Sequence, residues 1–212
     1  MKHKTSQTIY AYWNDVRRDR VAPMRLEIQP SQIAEILPDT FILERCDAQT
    51  FRFRLAGTRI CAQFGMEMRG MNFLDIWGDS DRDMIEHHFA AVTELGRVAV
   101  LTFEGSFAAS RPLQFEITVL PLVHTGKSID RLLCSMIVLD KPKVGVEERI
   151  ASVKLLAAEA VWPQGRPNAA AELHQRQSPL HPEIRNARIV RQDRRQFRVY
   201  DGGLTGELPR KH

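Results

Sequence analysis

The stretch from Thr50 to Trp77 changes its hydrophobic period partway along, and few folds accommodate that change. Phe51, Phe53 and Leu55 alternate with Arg52 and Arg54, the period of two that a half-buried strand requires, until Gly57 interrupts it. From there Ile60, Phe64 and the methionines recur at helical spacing. A strand that hands over directly to short helices predicts that those helices leave the sheet and cover one of its faces.

The flanking sequence extends this pattern. Residues 7–20 read as an amphipathic helix, with Ile9, Trp13 and Val16 on one stripe, Tyr12 beside it, and Pro23 past its end. Ser31 is an N-cap for a short helix through Ile33, Ile36 and Leu37, which Pro38 stops. Residues 40–46 and 50–56 form two strands around the turn-prone Asp47-Ala48-Gln49. Asp79 or Ser80 caps a longer helix in which Ile85, Phe89 and Val92 share a face, and Gly96 ends it. Three strand-like runs follow: RVAVLTFEGSF, LQFEITVLPL and RLLCSMIVLD, the last apolar on both faces as a central strand should be. Two strands, several helices and three strands imply an α+β fold. Its expected form is one five-stranded antiparallel sheet with the helical insert across one face.

Beyond Asp140 the character changes. The phrase GVEERIASVKLLAAEAV, with Val146, Ile150, Val153 and Ala157 at steps of three and four, predicts a helix within residues 141–162. Residues 163–187 carry Pro163, Pro167, Pro179 and Pro182 among polar residues and read as a flexible linker, the start of a basic tail to residue 212. The organisation is thus an N-terminal helix over residues 1–20, a domain over 21–140, the C-terminal helix and the tail. Residues 1–140 hold 16 basic and 18 acidic side chains, net −2, whereas 141–212 hold 14 and 8, net +6. The basic character belongs to the tail.

Several function classes lack their signatures. No run of about 18 apolar residues is present to cross a bilayer, and the N-terminus lacks the apolar core of a secretory signal, so the expected location is the cytoplasm. Cys46, Cys61 and Cys134 are an odd number without CxxC spacing and read as reduced core thiols. GxSxG, HExxH, GxGxxG and the phosphate loop GxxxxGK[ST] are all missing, which predicts a non-enzyme. Asp75, Asp79, Asp81 and Asp83 lack the spacing and terminal Glu of a calcium loop and read as helix-start charges complementing the dipole.

The phrases YWNDVRRDRVAPMRLEIQP, FRFRLAGTRICAQFGMEMRGMNFLDIW and DRDMIEHHFAAV together resemble a PAS-type domain over about residues 8–140. The closer resemblance is to the PAS family common in alphaproteobacteria as stand-alone proteins, through Tyr12-Trp13-Asn14, Gly65, Arg69-Gly70 and Asn72-Phe73-Leu74-Asp75-Ile76-Trp77. What the resemblance implies is a bacterial sensory or protein-interaction module. Such a module binds a small ligand between sheet and insert and relays the change through flanking helices to a signalling partner. The lining expected on that basis is Phe53, Leu55, Ile60, Phe64, Phe73, Trp77, His88, Phe89, Phe115, Ile117 and Ile137. The stripe of Ile9, Tyr12, Trp13 and Val16 is expected to engage a partner, a second copy in a homodimer, with packing on the chain's own sheet as the alternative.

No cofactor is expected, and two alternatives are set below that reading. Haem-binding PAS domains place their iron ligand on the long helix, where His88 lies at the margin of the apolar face and His87 nearly opposite it. The flavin photosensor branch needs a cysteine just before the short-helix phenylalanine; the phrase Gly70-Met71-Asn72-Phe73-Leu74 has none, which leaves non-covalent flavin alone. In the tail, Arg188 to Tyr200 interleaves arginines with aromatics, and RRQFR at Arg194 to Arg198 resembles the arginine arm of cyclic-dinucleotide-binding domains. A solvated or partner-docking tail is the expectation there, with nucleic acid or a cyclic dinucleotide as alternatives.

Overall fold

The structure, a computed structural model, describes residues 1–126, 128–140 and 148–165. Its frame is one antiparallel sheet of β1 (Thr40–Arg45), β2 (Phe51–Ala56), β3 (Val98–Ser106), β4 (Leu113–Leu122), β5 (Arg131–Val138) and β6 (Ser152–Val161), in the order β2-β1-β5-β4-β3-β6. The first five strands fall where the alternation places them, and β5, apolar on both faces, lies centrally between β1 and β4.

The sixth strand corrects two expectations. The sheet has six strands rather than five, and the residues predicted as a C-terminal helix within 141–162 include β6, which pairs along the whole of β3. Lys154, Leu155, Leu156, Ala157, Ala158 and Glu159 favour a helix by only tenths of a kcal/mol each. Pairing instead satisfies the backbone of a nine-residue strand that would otherwise end the sheet unpartnered. A bulge conceals the alternation: Phe103 faces Leu155 while Thr102 faces Ala157, so Leu156 is an extra residue. Val153, Leu155, Ala158 and Ala160 thereby share the inner face at steps of two and three, a spacing that imitates a helix.

Two apolar layers cover the sheet. On the inner face lies the insert: α2 (Thr58–Phe64), a 3-10 turn (Phe73–Ile76) and α3 (Asp79–Leu95), all packed on one cluster with the strands. The insert begins at Gly57, whose N–H donates to Thr40 O at 2.8 Å. A Cβ there would collide with the Pro38 carbonyl oxygen and stand 2.5 Å from that of Leu37, so glycine is required by space. The long helix starts from Gly78, not from Asp79 or Ser80, and both α2 and α3 end on left-handed glycines, Gly65 and Gly96.

On the outer face lies α1 (Lys4–Arg17), where Ile9 and Trp13 are fully buried and the Trp13 indole N–H donates to Pro121 O at 2.8 Å. Ile28, Ile33, Ile42, Val98, Leu120, Leu122 and Leu133 complete this second cluster. The predicted helix near Ser31 is a 3-10 segment, Pro30–Asp39, opened by Pro30 and kinked at Ile33. Residues 166–212, which include the arginine-rich phrase and nearly all of the basic tail, lie outside the described residues.

Candidate functional site: an aromatic compartment between sheet and insert

The inner compartment is built from rings. Phe73, at the start of its 3-10 turn, is the hub: its centroid lies 5.9 Å from Phe41 on β1, 5.9 Å from Phe53 on β2, 5.4 Å from Phe89 on α3 and 5.7 Å from Trp77. The turn is pinned by Asn72, whose Oδ1 accepts from the Leu74 amide at 3.4 Å and the Phe51 amide at 2.9 Å, fixing Phe73 against β2. Trp77 then meets Phe103 on β3 edge-on at 5.3 Å, and Phe103 stacks on Phe115 of β4 at 4.9 Å. One continuous chain of rings therefore connects β1 and β2 to β3 and β4.

Of the lining residues expected from sequence, Phe53, Ile60, Phe64, Phe73, Trp77, Phe89, Phe115 and Ile117 all meet in this cluster. Two do not. Leu55 is 45% exposed because a bulge intervenes: Leu43 faces Phe53 but Ile42 faces Leu55, so Arg54 is the extra residue and the alternation flips after it. Ile137 is buried but faces outward opposite Glu116, while its neighbours Cys134 and Met136 point inward. A strand apolar on both faces gives no sequence signal for choosing between them. Phe41, Phe51, Phe103 and Met136 belong to the cluster and were not among the expected lining, although Phe41 and Leu43 alternate in the phrase Phe41-Ile42-Leu43 and carried a readable signal.

The polar groups of the sheet are segregated. Thr40, Glu116, Thr118 and Ser135 are buried on the outer face, with Thr40, Ser135 and Thr118 in register across β1, β5 and β4 and Glu116 two residues along β4, opposite Ile137. Glu116 anchors the start of α1, accepting from the Lys2 amide at 2.6 Å and the His3 amide at 3.3 Å, with the terminal ammonium 3.9 Å away. Burial pushes its carboxyl upward, but the Ser6 hydroxyl, the two amides and the terminal charge together hold it below the usual glutamate value. Nearer β2, Glu44 pairs with Arg54 and Arg131, each at 2.8 Å. No buried polar side chain of the strands faces inward among the described residues.

One polar atom inside the compartment stands out. The Trp77 side chain is only 4% exposed, and its indole N–H has no hydrogen-bond partner. A buried donor without a partner costs about 1–3 kcal/mol relative to a satisfied one.

The other candidate groups lie elsewhere. His88 is half-buried, its ring 5.6 Å from that of His87, and desolvation followed by the charges of His87 and Arg97 holds its pKa below the ordinary histidine value. Its imidazole lies at the side of α3 and its ring contact is with His87, not with the ring cluster. Cys46 is exposed and Cys61 partly so, which corrects the reading of three core thiols; only Cys134 is buried, and desolvation drives its pKa well above the ordinary thiol value. No group of three metal-ligating side chains is present among the described residues. Asp81 accepts the Leu155 amide of β6 at 2.9 Å, and Asp75 lies 3.6 Å from Arg82. No described helix is long and apolar enough to cross a membrane.

The expected partner stripe is occupied by the chain itself. Ile9 and Trp13 are covered by β4 and β5, with Arg17 placed over the Trp13 ring at 5.3 Å, so these two are unavailable to a second subunit. Tyr12 and Val16 remain half-buried at the rim, where the Tyr12 hydroxyl accepts from the Gln29 amide at 2.7 Å.

Among solved structures, the chain is similar to the Rhodobacter sphaeroides LOV protein, at 14% identity over 53% of this chain and 69% of that one, with a TM-score of 0.39. It is also similar to a variant of RsLOV, at 15% identity over 66% and 71% of the two chains, again with a TM-score of 0.39. No curated protein matches the chain. The family described as PAS domain matches residues 1–137, which span α1, the insert, β1 to β4 and all but the last residue of β5, and the chain belongs to that family.

Proposed function

We propose that this PAS-domain protein is a non-enzymatic sensory module. Its ligand is a small amphipathic molecule, largely apolar with one hydrogen-bond acceptor, held between the inner sheet face and the insert. The observation that carries this reading is the Trp77 indole N–H, a buried donor with no partner in an otherwise apolar compartment. An acceptor brought by a ligand recovers the hydrogen bond, and the apolar body is favoured by about 25 cal/mol for each Å² of surface removed from water. Entry requires the rings around Phe73 to shift, and those rings reach every strand from β1 to β4 as well as α3. The relay then runs through the elements flanking the domain to a signalling partner.

The wholly apolar inner face of the strands also bears on cofactors. A flavin ring carries several polar edge atoms, and the buried polar side chains of the strands all lie on the other face. For haem, His88 would have to supply the axial nitrogen from outside the ring cluster.

The experiment is extraction of purified full-length protein with organic solvent, followed by mass spectrometry and a visible spectrum of the intact protein. An amphipathic compound recovered from the wild type and lost from Trp77→Phe is the expected result. A Soret band abolished by replacing His88, or flavin absorption, would overturn the assignment.

A further inference from the structure

The segment following residue 147 crosses the mouth of the inner compartment before it becomes β6. On one side the Ile150 amide donates to Gln63 O of α2 at 2.7 Å, and Arg149 lies over Gly65, where a Cβ would stand 2.7 Å from its Cγ. On the other side the Ala151 amide donates to Ser106 O at 2.8 Å, and Glu148 Oε2 accepts from the Ala109 and Ser110 amides of the β3–β4 turn at 3.2 and 3.1 Å. Between these fastenings Ile150 is inserted into the ring cluster, 8% exposed, beside Gly105 and Phe115. Further along, Asp81 at the start of α3 holds the Leu155 amide.

We propose that Glu148–Leu155 is a strap that closes the compartment, with Ile150 as its plug, and that its release opens the passage by which an apolar or amphipathic ligand enters between α2 and the β3–β4 turn. This rests on the ligand reading above. The strap lies outside residues 1–137, which match the PAS family. Its weakness relative to the sheet is visible in its burial. β6 buries two of ten side chains, against eight of ten in β4, and Arg149, Ala151 and Ser152 around the plug are exposed. Residues 148–151 are held by one inserted side chain and a few peripheral hydrogen bonds, while residues 152–155 add the end of the β3–β6 pairing and the buried Leu155 at the sheet edge; the strap therefore opens at lower cost than the central strands beneath it. Opening also frees the Asp81 carboxylate, so the start of α3 responds to the same event.

The test uses the full chain with Ile150→Ser, which removes the plug, Glu148→Gln, which weakens a fastening without touching the core, and Leu156→Ser at the exposed bulge as control. Hydrogen exchange is expected to speed at least tenfold at the amides of Ile150, Ala151 and Leu155 in the first two variants. The β4 and β5 amides keep their rates, and Leu156→Ser changes none. Binding of the amphipathic anionic dye 1-anilinonaphthalene-8-sulfonate, followed by fluorescence, rises in the same two variants. If the strap amides exchange only together with β4 and β5 in both variants, the strap is ordinary core and the proposal fails while the ligand reading stands. If the strap opens by itself and the dye still does not bind, no passage lies beneath it and the proposal fails, whereas the ligand reading is decided separately by the extraction from wild type and Trp77→Phe.

Discussion

Replacing Phe73 with alanine probes the compartment at its hub. The side chain is 1% exposed and contacts four other rings at centroid distances of 5.4 to 5.9 Å, so its loss removes a full aromatic burial and four ring pairs at once. Phe→Ala substitutions in cores cost about 3–5 kcal/mol, the larger values arising where neighbours cannot collapse into the space. Here Phe41 and Phe53 are fixed by strand pairing and Phe89 by a 17-residue helix, which places the expected loss in the upper half of that range. Urea unfolding followed by circular dichroism measures the loss as a lower midpoint at unchanged slope. The vacated space is apolar and benzene-sized, so benzene or indole added in excess should recover part of the stability, about 2.7 kcal/mol at a hundredfold over its Kd. A loss below about 1.5 kcal/mol, or no rescue by either compound, would refute the picture of a rigid ring compartment.

Other consequences follow from single residues. Glu116→Gln should destabilise by about 1.5–3 kcal/mol through its charge-assisted bonds to the α1 amides, with hydrogen exchange rising first in residues 2–9. Because the folded pKa of Glu116 is lowered, its contribution is present above the ordinary value of 4.5 and disappears as pH falls through the folded value; the variant should therefore lose part of the wild type's acid sensitivity. His88 has the same sign: its lowered pKa means stability falls as pH drops below 6.5 toward the folded value, and His88→Gln should flatten the thermal-melt profile in that window. Gly57→Ala drives a methyl into two carbonyl oxygens and should cost about 3 kcal/mol in the same urea assay. With a thiol reagent, Cys46 should react at once and Cys61 more slowly, while Cys134 reacts only on unfolding.

Much of this architecture was legible in the amino-acid order. The alternation in β1 to β5 and the change of period at Gly57 placed the insert on one face, and eight of the eleven expected lining residues meet there. Two of the misreadings share one physical origin. A β-bulge inserts a residue and reverses the inward and outward sides beyond it, and nothing in composition marks Arg54 or Leu156 as the inserted residue. The first bulge turned Leu55 outward; the second gave β6 the spacing of a helix. Ile137 failed differently, since in β5 both faces are covered and periodicity carries no preference. The amphipathic stripe of α1 was legible as apolar, but whether it covers its own sheet or a neighbour's depends on contacts distant in sequence, chiefly Trp13 to Pro121.

The role given to the Trp77 indole is the point on which the functional account turns, and nitrogen–proton correlation spectroscopy of the full chain reads that N–H directly. Its signal is assigned by its disappearance in Trp77→Phe, and the protein is titrated with amphipathic acceptors such as aromatic carboxylic acids and medium-chain fatty acids. The account predicts a saturable downfield shift of the Trp77 indole proton, accompanied by shifts at the Ile150 and Ala151 amides. Compounds that bind yet leave that proton unmoved, or a panel of which none binds, would contradict it.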